Sequence, residues 1–269
     1  MTIWRLVLTE PATGPWNMAM DEALLKSCVA HECPSILRFY SWEPACLSLG
    51  YAQPSSDVDL EKLSKFNWDL VRRPTGGKAI LHTDELTYSI TAGIDEPLVQ
   101  GSILESYRRL SQALLSGLQV LGIHAIAAPK KNEFNSNHPV CFENPSDYEI
   151  TVHGRKIIGS AQARRLNGVL QHGAIPIKGD LTRINQVLHF TDGNEKILAN
   201  QRLISHAATL AEIQGRDLPF HDVLTAFEEG FRKTFDLEFT IIAPTEREKS
   251  RAEELMATKY ANKDWTFRI

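Results

Sequence analysis

Apolar and polar positions follow two different periods along this chain, and the switches between them mark its elements. Asn17 precedes MAMDEALLKSCVA, where Met18, Ala23, Leu24 and Leu25 trace part of an apolar face, so a helix capped by Asn17 is predicted. SILRFYSW and ACLSLGYAQ, rich in aromatic and branched residues, predict two strands separated at Glu43-Pro44. A short polar helix follows over Leu60 to Phe66, then strand, tight turn and strand in DLVRRPTGGKAILH, then a strand from Leu86 to Ala92. Ile103, Tyr107, Leu110, Leu114, Leu118 and Leu121 recur at helical spacing, with Gly122 where a C-terminal cap belongs. Polar and apolar residues alternate from Asp147 to Val152. His153-Gly154 supplies a two-residue turn and Arg155 to Ala163 the partner strand, so Thr151 faces Lys156. Gln171 to Ile177 predicts another strand, and Leu203 to Leu210 lies in a helix. Beyond the polar break Gln214 to Asp217, Val223, Phe227, Phe231 and Phe235 form an i, i+4 stripe, and a charged helix runs from Thr245 to Tyr260.

Strands and helices in irregular order predict an α+β fold built on mainly antiparallel sheet flanked by helices. Residues 1–215 read as the main domain and residues 216–269 as a small C-terminal helical appendage; 269 residues bury a sizeable core. A net charge of -4 argues against nucleic acid as a partner. No apolar run approaches the roughly 20 residues of a membrane span, and MTIWRLVLTEPATGPWN is interrupted too early for a signal peptide, so a cytoplasmic protein without membrane contact is expected. Cysteines 28, 33, 46 and 141 lack paired spacing, which favours reduced thiols; Cys28, His31 and Cys33 fall short of a four-ligand metal set.

Three segments carry candidate chemistry. Cys141, in the polar loop HPVCFENPSDYEI, is a nucleophilic thiol or an inert buried one. Lys156, fifteen residues on, shares a hairpin face with Asp147 and Glu149, which reads as a site or as a solvated charged face. RRPTGGKAILH is neither a phosphate loop of the Walker type nor a dinucleotide fingerprint. Gly76 and Gly77 allow close backbone approach, so the turn is an ordinary hairpin or an anion-binding concavity beside Arg72, Arg73 and Lys78. His82 and His172 are site residues or satisfied core histidines, with His82 the stronger candidate.

RRPTGGKAILHTDELTYSI, with NMAMDEALL and LRFYSWEPACLSLGYAQ before it and CFENPSDYEI, GRKIIGSAQ and LQHGAIPI after it, resembles the lipoate and biotin protein ligase superfamily across most of residues 16 to 177. The nearest resemblance is to its octanoyltransferases. It implies the biotin/lipoate protein ligase-like fold and, for residues 1–215, the catalytic domain. It also implies transfer of an octanoyl group from octanoyl-acyl carrier protein to a lysine of lipoyl domains, those of 2-oxoacid dehydrogenase complexes and the glycine cleavage H protein, with no cofactor. By the same resemblance Cys141 carries a thioester intermediate, and Lys156 lowers its thiol pKa and binds the acyl carbonyl. Arg72, Arg73, Gly76, Gly77, His82, Gly159 and Ser160 then contact substrate; position along the strands alone, not the resemblance, places the octyl chain near Leu47, Leu49 and Tyr88. An ATP-dependent lipoate ligase, an amidotransferase moving octanoyl between lipoyl proteins and a non-catalytic binder are the alternatives. Cys141 favours transfer, because an activated thioester needs no ATP. Two departures from the family pattern are Thr83 between His82 and Asp84, and Lys78 where the ligases have glycine. Arg164-Arg165 and Arg108-Arg109 are candidates for docking the acidic carrier.

Overall fold

The computed structural model describes residues 2–129, 139–140 and 148–269. In chain order the described elements are β1 (Thr2–Leu8), α1 (Gly14–Val29), β2 (Ile36–Tyr40), β3 (Cys46–Leu49), α2 (Leu60–Lys65), β4 (Asp69–Arg72), β5 (Ile80–His82), β6 (Glu85–Gly93), α3 (Ile103–Val120) and β7 (Ile126–Pro129). There follow β8 (Tyr148–Val152), β9 (Arg155–Arg165), β10 (Gly168–Pro176), α4 (Gly193–His206), α5 (Leu210–Gln214), α6 (Phe220–Phe235), β11 (Leu237–Ile241), α7 (Glu246–Leu255) and α8 (Lys263–Thr266).

Among the described residues the strands form an eight-stranded sheet, ordered β11-β1-β2-β6-β10-β9-β8-β7, and a three-stranded sheet, β4-β3-β5. The large sheet is antiparallel except at one edge, where β1 runs parallel to both β2 and β11. Period-two alternation sets its two faces. Leu86, Tyr88, Ile90 and Ala92 of β6, with Leu37 and Phe39 of β2, join the core formed with α3 and α6. The intervening Glu85, Thr87, Ser89 and Thr91 are polar and equally buried, on the other face. Ile36 and Tyr40 of β2 pack in a second core with α1 and the C-terminal Ala252, Leu255 and Tyr260.

The apolar stripes behave as their spacing predicts. Val223, Phe227 and Phe231 of α6 are buried in the same core as Leu110, Leu114 and Leu118 of α3. The crossing is close enough that a Cβ on Gly230 would lie 2.6 Å from the Ala113 carbonyl oxygen. Ser102 and Glu105 close a capping box at the start of α3, and Gly122 follows its end at φ +75°. His153 and Gly154, at φ +50° and +77°, make the expected tight turn, and Thr151 pairs with Lys156.

Other expectations change. Helix α1 starts at Gly14 with Thr13 as cap, while Asn17 is buried inside it. The predicted helix at Leu203 to Leu210 is two helices, broken where Lys156 receives a hydrogen bond from Ala208 N. DLVRRPTGGKAILH is not a hairpin: β4 and β5 both pair with β3, which lies between them. Residues 216–269, expected as a helical appendage, include a strand as well. Its β11 pairs with β1, and Glu248 of α7 bonds Arg5 of β1 at 2.7 Å.

Candidate active site

A cavity of about 620 Å³ lies between the polar face of the large sheet and the small sheet. Its walls come from β2 (Tyr40, Trp42 just beyond), β3 and β5 (Ser48, His82), the glycine loop (Gly76, Gly77, Lys78), the first turns of α3 (Leu104, Tyr107), β9 and β10. Strand β9 contributes twice, because it pairs with β8 up to Ile158 and with β10 from Gly159 onwards. Lys156 sits on the first half and Ser160 on the second, and both face the cavity together with Gly159.

The glycine loop is held from beneath by Arg73. Its guanidinium donates to the carbonyls of Gly76 (2.8 Å), Lys78 (2.7 Å) and Ser48 (3.0 Å) and to Ser48 Oγ (3.0 Å). Gly77 adopts φ +89°, and a Cβ on Gly50 would meet the Gly77 carbonyl at 1.9 Å, so this approach excludes any side chain at position 50. Ser48 Oγ lies 2.8 Å from His82 Nε2, and His82 Nδ1 lies 2.7 Å from Glu85 Oε1. Glu85 also accepts from Thr87, which accepts from Trp42 Nε1, and Trp42 stacks on His82 with ring centroids 4.0 Å apart. With a carboxylate oxygen of Glu85 as acceptor, Nδ1 of His82 is the donor in that contact.

A second polar lattice lies behind the cavity. Asp21 and Arg38 are fully buried and paired at 2.8 Å, and Asp21 also accepts from Ser89 (2.8 Å) and Tyr40 (3.0 Å). His172 bridges this charge to the glycine loop, with Nδ1 3.3 Å from Asp21 and Nε2 2.7 Å from Thr75 Oγ1. Burial lowers the His172 pKa below its ordinary value, which outweighs the adjacent carboxylate. Burial alone would raise Asp21, but the His172 hydrogen bond and the Arg38 charge hold it below the usual carboxylate range.

Lys156 is 3% exposed and its ammonium lies 3.0 Å from Glu149 Oε1. The charged hairpin face is therefore folded inward at this residue. Gly76, Gly77, Arg73, His82, Gly159, Ser160 and Lys156 are brought to one cavity. Arg72 is not. Side chains alternate along β4, and Arg72 points to the carbonyls of Gly50 (2.8 Å) and Thr266 (2.9 Å), where it joins two segments and does not line the cavity. Leu47 and Leu49 are buried under the small sheet and Tyr88 bonds Ser160 Oγ at 2.7 Å; none of the three lines the cavity. Cys141 lies outside the described residues. Its sequence neighbour Val140 bridges to Ala79, directly after the glycine loop. Cys28 and Cys33 approach to 3.8 Å, and among the described residues no group of three or more His, Cys, Asp or Glu could hold a metal ion. Asp21, Arg38 and Thr75 were not anticipated. The only sequence signal for Asp21 is an acid set among apolar residues in MAMDEALL.

The chain matches the lipoyl protein ligase A/B catalytic domain over residues 14–232. Octanoyltransferase LipM of Carboxydothermus hydrogenoformans is 40% identical over 271 residues, covering 100% of both chains. Octanoyltransferase LipM of Staphylococcus aureus is 36% identical, covering 98% of each. Among solved structures, a bi-partite lipoate protein ligase from Thermoplasma acidophilum superposes with a TM-score of 0.82 at 29% identity, covering 99% of this chain and 97% of that one. Lipoate-protein ligase A bound with ATP gives 0.80 at 27% identity, covering 99% of each. The cavity, its glycine loop and its buried lysine are thus those of a chain that belongs to the lipoyl protein ligase A/B catalytic domain family.

Proposed function

We propose that this chain is an octanoyltransferase of lipoate synthesis, taking its acyl group from octanoyl-acyl carrier protein and passing it to a lysine of a lipoyl domain through a thioester on Cys141. The observation that carries this reading is the cavity, apolar over most of its wall, with the buried ammonium of Lys156 and the glycine loop at its polar end. Whole-chain identity of 35–40% to octanoyltransferases supports the acyl group named here. In the first half-reaction the Cys141 thiolate attacks the thioester carbonyl, a C–S bond forms to the enzyme, and the carrier thiolate leaves and takes a proton. In the second, the neutral amine of the acceptor lysine attacks the enzyme thioester, the cysteine thiolate is expelled, and the nitrogen gives up a proton as the amide forms. Lys156 serves both steps by hydrogen-bonding the carbonyl oxygen as negative charge develops on it.

Intact mass after mixing the protein with octanoyl-acyl carrier protein, without ATP, tests the reading. A hydroxylamine-labile octanoyl adduct, absent from Cys141→Ala, is expected. Similarity to lipoate ligases supports a second reading. Modification of a lipoyl domain by Cys141→Ala only when ATP and free octanoate are supplied would favour that ligase chemistry instead.

A further inference from the structure

A second cavity, of about 590 Å³, adjoins the first. Gly76, Gly77, Lys78, Ile103 and Gln162 belong to the walls of both, so the glycine loop is a shared rim. The two differ in charge. Among the described residues the outer cavity is lined by Lys78, Arg164 and Arg165 and by no carboxylate. Arg164 is occupied in holding the start of α3, donating to Val99 O at 2.8 Å and Ser106 Oγ at 3.1 Å. Lys78 and Arg165 form no ion pair within the described residues. The Arg165 guanidinium lies 4.1 Å from the ring centre of Tyr51, a wall residue, and that of Arg268 lies 3.7 Å from the same ring. Hydrogen bonding and charge from Arg268 and Arg165 hold the Tyr51 phenol below its ordinary pKa.

Positive charge without a counter-ion among the described residues, at the mouth of an acyl pocket, calls for an anion at the far end of the substrate. A thioester donor enters with its acyl chain inward and its carrier arm outward. In acyl carriers that arm is phosphopantetheine, which ends in a phosphate ester. We propose that the outer cavity binds this phosphate, with Lys78 and Arg165 as its ion partners. The inference rests on the acyl-transfer reading above and specifies the donor it accepts.

The test is inhibition of enzyme acylation by octanoyl-acyl carrier protein, using S-methyl-phosphopantetheine and S-methyl-pantetheine, which differ only in the phosphate. The phosphorylated compound should inhibit about tenfold more strongly, the scale of one charge-assisted contact. In Lys78→Gln/Arg165→Gln the two inhibitors should come within about twofold of each other, while Arg165→Lys, which keeps the charge, retains most of the difference. Equal inhibition of the wild type overturns the inference, as does an unchanged difference in either the double variant or the single Arg165→Gln. If octanoyl-acyl carrier protein leaves no adduct on the wild type, the transferase reading itself fails. That outcome is distinct from acylation that ignores the inhibitor's phosphate.

Discussion

Lys156 reaches the cavity with its charge already balanced by Glu149, so its ammonium is presented in a fixed place instead of being held out in water. Fixed donors of this kind contribute most where charge appears only in the transition state. Lys156→Met should therefore lower the single-turnover acylation rate by roughly 10²- to 10³-fold, the range seen for loss of one such donor, with the circular dichroism spectrum unchanged. A rate within threefold of wild type would remove Lys156 from the chemistry. His172 has a different role, because it is buried, uncharged at neutral pH and tied to both Asp21 and the glycine loop through Thr75. Its folded pKa lies below the unfolded value of about 6.5, so between the two values the unfolded chain binds the extra proton and stability falls as pH falls. The urea midpoint should drop between about pH 7 and pH 5.5, and His172→Gln should show a smaller drop; equal drops would contradict this. Asp21, held below the usual range, adds a separate loss of stability only below about pH 4.

Helices α3 and α6 meet at two glycines, and the atoms that a Cβ on Gly230 would strike are backbone atoms of Gly117 and Ala113. Backbone cannot swing aside as a side chain can, so Gly230→Val should destabilise by about 3 kcal/mol, the upper part of the range for overpacking, in chemical denaturation. These two helices were legible in the sequence because their stripes repeat over several turns. So was the Thr151–Lys156 pairing, because a two-residue turn fixes register. Strands β1 and β11 were not. TIWRLVL carries Arg5 in its middle, and the partner that makes this acceptable, Glu248, is 243 residues away. Strand β7 escaped for lack of length. At the site, the glycine loop and its neighbours were recognisable as a motif, but which arginine of the Arg72-Arg73 pair serves the loop depends on strand direction. Asp21 was hidden because a buried acid on an apolar helix has no local mark; its partners Arg38, Tyr40, Ser89 and His172 all lie on other elements.

At the scale of the whole molecule, the C-terminal residues complete the sheet and hold it. Arg5 and Glu248 are each 4% exposed at their side chains, and Arg5 also donates to the carbonyls of Ile242 and Ala243. Glu248→Ala would leave a buried guanidinium without its counter-charge, a change that costs about 3–5 kcal/mol and should appear directly in the urea midpoint. A loss under about 1 kcal/mol would mean that β1 and α7 are held by other contacts. No helix is long and apolar enough to cross a membrane among the described residues. The parallel pairing of Thr2 with Leu237 joins positions 235 residues apart (237 − 2). During synthesis at roughly 5–20 residues per second, β1 therefore leaves the ribosome roughly 10–50 seconds before its outer neighbour exists. For that interval the nascent sheet has an open edge able to pair with any passing strand, so crowding by other unfinished chains, more than heat, is the hazard its production must survive.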